Sequence, residues 1–170
     1  MPHPPAPHEF APYYGRYIGL VPSGDIIELL ETQMPTTLAF LGAVGEERSG
    51  QPAAPGKWSL KEVIGHMADA ERVFSYRALR IGRGDMTPLP GFEQDDYVRA
   101  GRFNERSLES LAEELADVRR ASVRLFAGLP AEGWSQLGTA SGFPVSPNAL
   151  AYIVAGHELH HLALARTQFA

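Results

Sequence analysis

A chain of 170 residues that is 44% hydrophobic can bury one core without covalent staples and calls for no second domain. Its formal net charge of -5 argues against a nucleic-acid partner, which needs clustered Lys and Arg. The absence of cysteine excludes disulfides, thiolate ligands and a cysteine nucleophile, leaves histidine and carboxylate as metal ligands, and fits a reducing cytoplasm.

No run of about 18 apolar residues is present and the N-terminus lacks a charged-then-apolar leader, so an untargeted, soluble protein with no membrane contact is expected. Residues 1–22 are rich in proline and aromatics, which argues against a regular helix and predicts a loose arm that Tyr13, Tyr14, Tyr17 and Ile18 can pack down. The domain proper is read as 23–170. A first helix is predicted from Asp25 to Ala43, with Ile27, Leu30, Met34, Thr37, Leu38 and Leu41 inward and a kink at Pro35. The second helix has the clearest start: Ser59 and Glu62 form a capping box, and Trp58 with Val63 a hydrophobic staple. It runs to Ile81. Residues Gly82 to Arg106 read as a long irregular connection that crosses the bundle or overhangs a site. A third helix from Ser107 to Gly128 buries Leu111, Leu115, Val118, Ser122, Phe126 and Leu129. A Gly/Pro-rich segment then leads to Ser146 and Pro147, cap and first-turn residue of a final helix. With no alternating strand pattern, these elements predict an all-α four-helix bundle.

Three histidines are the candidate functional residues. His157 and His161, four apart, stand one above the other on a helix and can aim both imidazoles at one ion. At about 100° per residue, Leu150, Ile153, Val154, His157, His161, Leu164 and Ala165 share one stripe, with His160 at its edge as a flanking group. In the second helix the stripe is Leu60, Val63, Met67, Ala70, Phe74, Ala78 and Ile81, with His66 on its shoulder. A single inward histidine is ordinarily a hydrogen-bonded core residue. Two in an apolar stripe each need a partner for a buried ring nitrogen, which a shared cation supplies. Spacing alone leaves both readings open.

Four polar groups have competing parts. His157 to His161 matches H-E-x-x-H, the zinc-protease helix in which the glutamate is the general base. That chemistry needs a third downstream ligand and a substrate-binding sheet, neither of which is evident, so Glu158 reads as a solvated helix residue. Asp69 either orients the free nitrogen of His66 or pairs with Arg72. Glu62 is taken up by the cap. Arg119 and Ser122 project toward the third helix's inward face, the arginine with its stem buried and its head in water. Tyr152, Leu159 and Leu162 fall off the last helix's inward stripe and are read as a contact between two copies of the chain.

The segments Lys57 to Glu71, Pro90 to Asp95 and Ala155 to His161, in that order and spacing, resemble the DinB-like (YfiT-like) superfamily over about residues 24–165. The resemblance implies a four-helix bundle with a three-histidine divalent metal site, which maps onto His66, His157 and His161. Glu93 stands where many relatives have Asp. Three protein ligands leave a coordination position open, as in catalytic rather than structural zinc sites. Zinc or nickel suits imidazole best, with iron or manganese as further candidates. Several branches of the superfamily are S-transferases using a thiol such as bacillithiol or mycothiol, and others resemble hydrolases or isomerases. The implied function is a metal-dependent enzyme that activates an exogenous low-molecular-weight thiol, or water, toward a small-molecule substrate. The rival is a non-catalytic helical module whose metal only ties helix two to helix four.

Overall fold

The computed structural model describes residues 3–169; Met1, Pro2 and Ala170, which the sequence reading assigned to the arm and the bundle, lie outside the described residues. The N-terminal segment is not the loose arm expected from its prolines. It winds into two 3-10 turns, Pro7–Glu9 and Pro12–Tyr14, and the short helix α1, Gly15–Ile18. Pro begins each 3-10 turn, where its missing N–H is no loss. Glu9 accepts hydrogen bonds from the Ala6 N–H and the Ser146 hydroxyl, at 2.5 and 2.8 Å, which ties the segment to the start of the last helix. Tyr17 is buried against that helix, and its carbonyl lies where a Cβ on Gly156 would come within 2.1 Å.

Helix α2, Ile26–Val44, is capped by the Asp25 carboxylate and stays helical through Pro35. It buries Ile26, Leu30, Met34, Thr37 and Leu41, while Ile27 and Leu38, expected inward, are only half-buried. A short turn, α3, Glu46–Ser49, precedes α4, Leu60–Gly82, whose Ser59 and Glu62 form the predicted capping box. The connection that follows is more ordered than its composition suggested. It holds α5, Gln94–Gly101, and a 3-10 turn, Phe103–Glu105, anchored by buried Val98 and Phe103. One buried residue in eight leaves no period to read. Helix α6, Leu108–Ala127, buries the residues predicted for it.

Between α6 and the last helix lie α7, Ala131–Trp134, and an unforeseen antiparallel hairpin of β1, Gly138–Ala140, and β2, Phe143–Val145. Its two-residue turn, Ser141 and Gly142, has positive φ at both positions, which matches the twist of a tight hairpin. Three-residue strands are too short to alternate visibly. Helix α8, Pro147–Phe169, starts on the predicted Ser146 cap and is buried on every side from Pro147 to Glu158. The one-stripe description therefore fails: Leu164 is exposed, whereas Tyr152 and Leu162, read as lying off the stripe, are buried within the chain and Leu159 is half-buried. The covering element is α1, which packs along α8.

Helices α2, α4, α6 and α8 form the bundle, and α5 lies against α4. The apolar core is divided into two clusters, one ending and the other beginning at the same level of every helix. On α2 the break falls between Leu30 and Met34, on α4 between Ala68 and Ala70, on α6 between Val118 and Val123, and on α8 between Ala155 and Ala165. Polar and titratable side chains fill that level. Among the described residues no helix is long and apolar enough to cross a membrane.

Candidate metal centre

His66 on α4 and His157 and His161 on α8 meet at this dividing level. The Nε2 of His157 lies 3.1 Å from that of His66 and 3.0 Å from that of His161. The three ring centroids form a triangle with sides of 4.4, 5.0 and 5.0 Å. Helical spacing accounts for the α8 pair, and the dense packing of α4 on α8 brings in the third ring.

A neutral imidazole nitrogen offers either one N–H or one lone pair. His157 Nε2 can thus serve only one of its two close neighbours well by hydrogen bonding. Burial also disfavours the charged rings. It lowers the His66 pKa to about 4, against a small opposing effect of Asp95, and the His161 pKa to about 3, helped by His66, His160 and Arg16. His157 is driven well below the ordinary imidazole value by burial and then by His161 and His66. Three neutral rings can therefore offer lone pairs toward one point. Imidazoles bound about 2.0–2.1 Å from one ion stand up to about 4.2 Å apart. The observed 3.0 and 3.1 Å fall within that span and all three nitrogens lie within 4.8 Å of one another, so the trio could hold a single cation.

The surroundings are aromatic. Tyr17 and Phe74 meet the His157 ring edge-on at 5.2 and 5.9 Å, and the Trp58 indole lies 5.0 Å from His66. His160 is a flanking group as expected, its ring 5.2 Å from both Tyr17 and His161. Two cavities reach the trio. One of about 280 Å³ is lined by Tyr13, Tyr14 and Phe92 and opens on His66 and His157; the other, about 300 Å³, is lined by Lys57 and Trp58 and opens on His161. Gln94 and Asp95, at the start of α5, border both. The N-terminal segment and the connection thus form the walls.

In sequence the chain matches the DinB superfamily over residues 29–165. This chain belongs to the DinB superfamily. Two solved structures share its fold. YfiT from Bacillus subtilis, described as a probable metal-dependent hydrolase with an unusual four-helix bundle topology, superposes with a TM-score of 0.73 at 16% identity, covering 94% of this chain and 93% of that one. A mycothiol-dependent maleylpyruvate isomerase does so with a TM-score of 0.69 at 14% identity, covering 85% of this chain and 61% of the isomerase. No curated protein matches the sequence.

Within this DinB bundle Glu158 and Arg119 depart from the sequence reading, and Asp69 takes the second of the two parts left open for it. Glu158 is buried, not solvated: its carboxylate accepts from Arg119 at 2.6 Å and from the Thr37 hydroxyl at 2.5 Å. Tied on that side, it cannot also serve as the base of a metalloprotease helix. Arg119 keeps no head in water. Its guanidinium holds Glu71 through two bonds of 2.9 Å, and although burial alone would lower its pKa, Glu71 and Glu158 hold it above the ordinary value. Asp69 pairs with Arg72 at 3.3 Å and makes no bond to a histidine. Burial raises its carboxyl pKa despite that partner. Glu71 was missed altogether, although a signal existed: it stands four residues after Met67 and three before Phe74, on the apolar stripe itself.

Proposed function

We propose that this protein is a metal-dependent enzyme in which His66, His157 and His161 hold one divalent cation, and in which a low-molecular-weight thiol or water becomes the nucleophile toward a small electrophile. The observation that carries this reading is the convergence of three neutral imidazoles, two buried and one half-buried, on one point open to cavities on two sides. A bound divalent cation supplies Lewis acidity, favouring thiolate over thiol and lowering the pKa of water. Zinc and nickel suit an all-imidazole set, with iron and manganese next. The chain's own residues supply binding and shelter. Tyr17, Phe74 and Trp58 keep water from the backs of the rings, and Tyr13, Tyr14 and Phe92 offer flat apolar surface to a substrate. Lacking cysteine, the protein must receive any sulfur nucleophile from outside. Two cavities of similar size, separated by Gln94 and Asp95, favour two small ligands meeting over hydrolysis of one.

The relatives' descriptions, a probable metal-dependent hydrolase and a mycothiol-dependent isomerase, support metal-assisted chemistry in general terms. A second reading, a structural ion joining α4 to α8, draws on the fact that the three histidines come from those two packed helices. Elemental analysis of protein purified without an affinity tag tests the ligand set. Wild type is expected to carry one metal per chain, and His66→Ala and His161→Ala far less; equal content in all three discards the site. Metal-loaded protein is then incubated with a panel of thiols and electrophiles, with thiol-free controls. Conjugate formation supports the transferase reading, thiol-independent turnover supports hydrolysis, and no turnover with any pair leaves the structural ion.

A further inference from the structure

Beside the histidine trio, at the same level of the bundle, lies a second buried polar group that the proposed chemistry does not use. We infer that the Glu71–Arg119–Glu158 network is the counter-charge of the cation held by the three histidines and sets how tightly that cation binds. The inference rests on the metal reading above.

The network spans the bundle. Glu71 comes from α4, Arg119 from α6, Glu158 from α8, and α2 contributes the Thr37 hydroxyl and the Leu30 carbonyl, the latter 3.2 Å from Arg119 Nη1. All four carboxylate oxygens accept from an N–H or an O–H: Glu71 takes Arg119 Nε and Nη2, and Glu158 takes Arg119 Nη1 and Thr37 Oγ1. Each carboxylate oxygen is thus matched to a donor, and the three side chains together carry the formal charges of two carboxylates and one guanidinium. Two negative charges then face one positive charge, and the three side chains are no more than 4% exposed.

One negative charge is left over inside the protein, away from water, where an uncompensated charge is costly. Three neutral imidazoles around a divalent ion leave the opposite imbalance. The two sites adjoin: Glu158 directly follows His157, and Thr37 and His161 line the same small void. Each imbalance is relieved by the other. At about 10 Å, the spacing of packed helices, and an effective dielectric near 20, removing one unit charge changes affinity for a divalent ion by at least about tenfold.

Glu158→Gln tests this, because glutamine has the same shape and can accept from Arg119 while donating to Thr37. Chelator-treated protein is titrated with Zn²⁺ by calorimetry and with Co²⁺ by absorption. Wild type is compared with Glu158→Gln and with Thr37→Val, which removes a hydrogen bond to Glu158 but no charge. Glu158→Gln is expected to bind both ions at least about tenfold more weakly with an unchanged Co²⁺ spectrum, and Thr37→Val within about twofold of wild type. If Glu158→Gln fails to fold, Glu71→Gln removes the same charge from the other end of Arg119 and takes its place with the same expectation. Unchanged affinity in the charge-removing variant, or an equal loss in Thr37→Val, overturns the inference. Wild type that binds neither ion, or His161→Ala that binds as tightly, overturns the metal site instead.

Discussion

Each histidine of the trio has its proton affinity set by burial, and this makes the protein's stability depend on pH in a definite direction. In the folded chain His66 titrates at about 4 and His161 at about 3, whereas the same rings in an unfolded chain titrate near 6.5. Between those values the unfolded state binds more protons, so stability rises with pH across that window. The contribution is complete above about 6.5 and is lost as pH falls through the folded values. Metal-free protein is therefore expected to melt at progressively lower temperature from pH 7 to pH 4. His161→Leu, with one titrating ring fewer, should show a shallower slope, and parallel profiles for the two proteins would refute the assignment. The site histidines were legible because a polar ring on an apolar stripe needs a partner. Glu71 carried the same kind of signal and was missed, whereas Glu158 lies off the stripe and was misread. A glutamate is so often solvated that only the arginine arriving from another helix reveals it as buried.

Two local devices hold the elements that frame the site. The Ser59 hydroxyl accepts from the Glu62 N–H at 3.1 Å, and the Glu62 carboxylate accepts from the Ser59 N–H at 2.8 Å. Ser59→Ala removes half of this box, costs about 1 kcal/mol, and should lower the melting temperature by roughly 2–4 °C without altering metal content. Gly156 has a different part. A Cβ there meets the carbonyl of Tyr17, a backbone atom that cannot turn aside, so Gly156→Ala must push α1 away from α8. The expected outcome is a larger loss of melting temperature than in Ser59→Ala. Faster modification of His157 by diethyl pyrocarbonate, read by mass spectrometry, should accompany it because Tyr17 no longer covers that ring. Modification at the wild-type rate would show that α1 does not shelter the site. The capping box could be read in the sequence, since both partners lie within four residues. The close approach at Gly156 could not, because its partner is about 140 positions away.

For the molecule as a whole, the question is whether the ion is needed for folding or only for function. Two extensive apolar clusters pack the four helices against one another on either side of the trio, which argues that the bundle stands without metal. A ligand present at 100 times its dissociation constant stabilises by about 2.7 kcal/mol. For a chain of this size, that corresponds to a rise in melting temperature of roughly 5–10 °C. Chelator-treated protein is expected to keep its helical circular dichroism and a cooperative melt, with the midpoint shifted down by about that amount. A chain that loses its helices on chelation would instead match the structural-ion reading.

Local chemistry was enough to place the four long helices, the Ser59 and Ser146 caps and the helical positions of the histidines, because caps and periodic stripes involve residues within one or two turns of each other, while the reading of the histidines as one ligand set came from the resemblance. It failed where the decisive partner is distant in sequence. The proline-rich segment is ordered by α8, and α8 is buried on every side from Pro147 to Glu158 because that segment covers it. Glu71, Arg119 and Glu158 lie on three different helices, and only their packing turns three ordinary surface-type residues into one buried charged group. Tertiary structure decides such matters because burial and charge compensation belong to the whole arrangement of neighbours and cannot be assigned to any one stretch of chain.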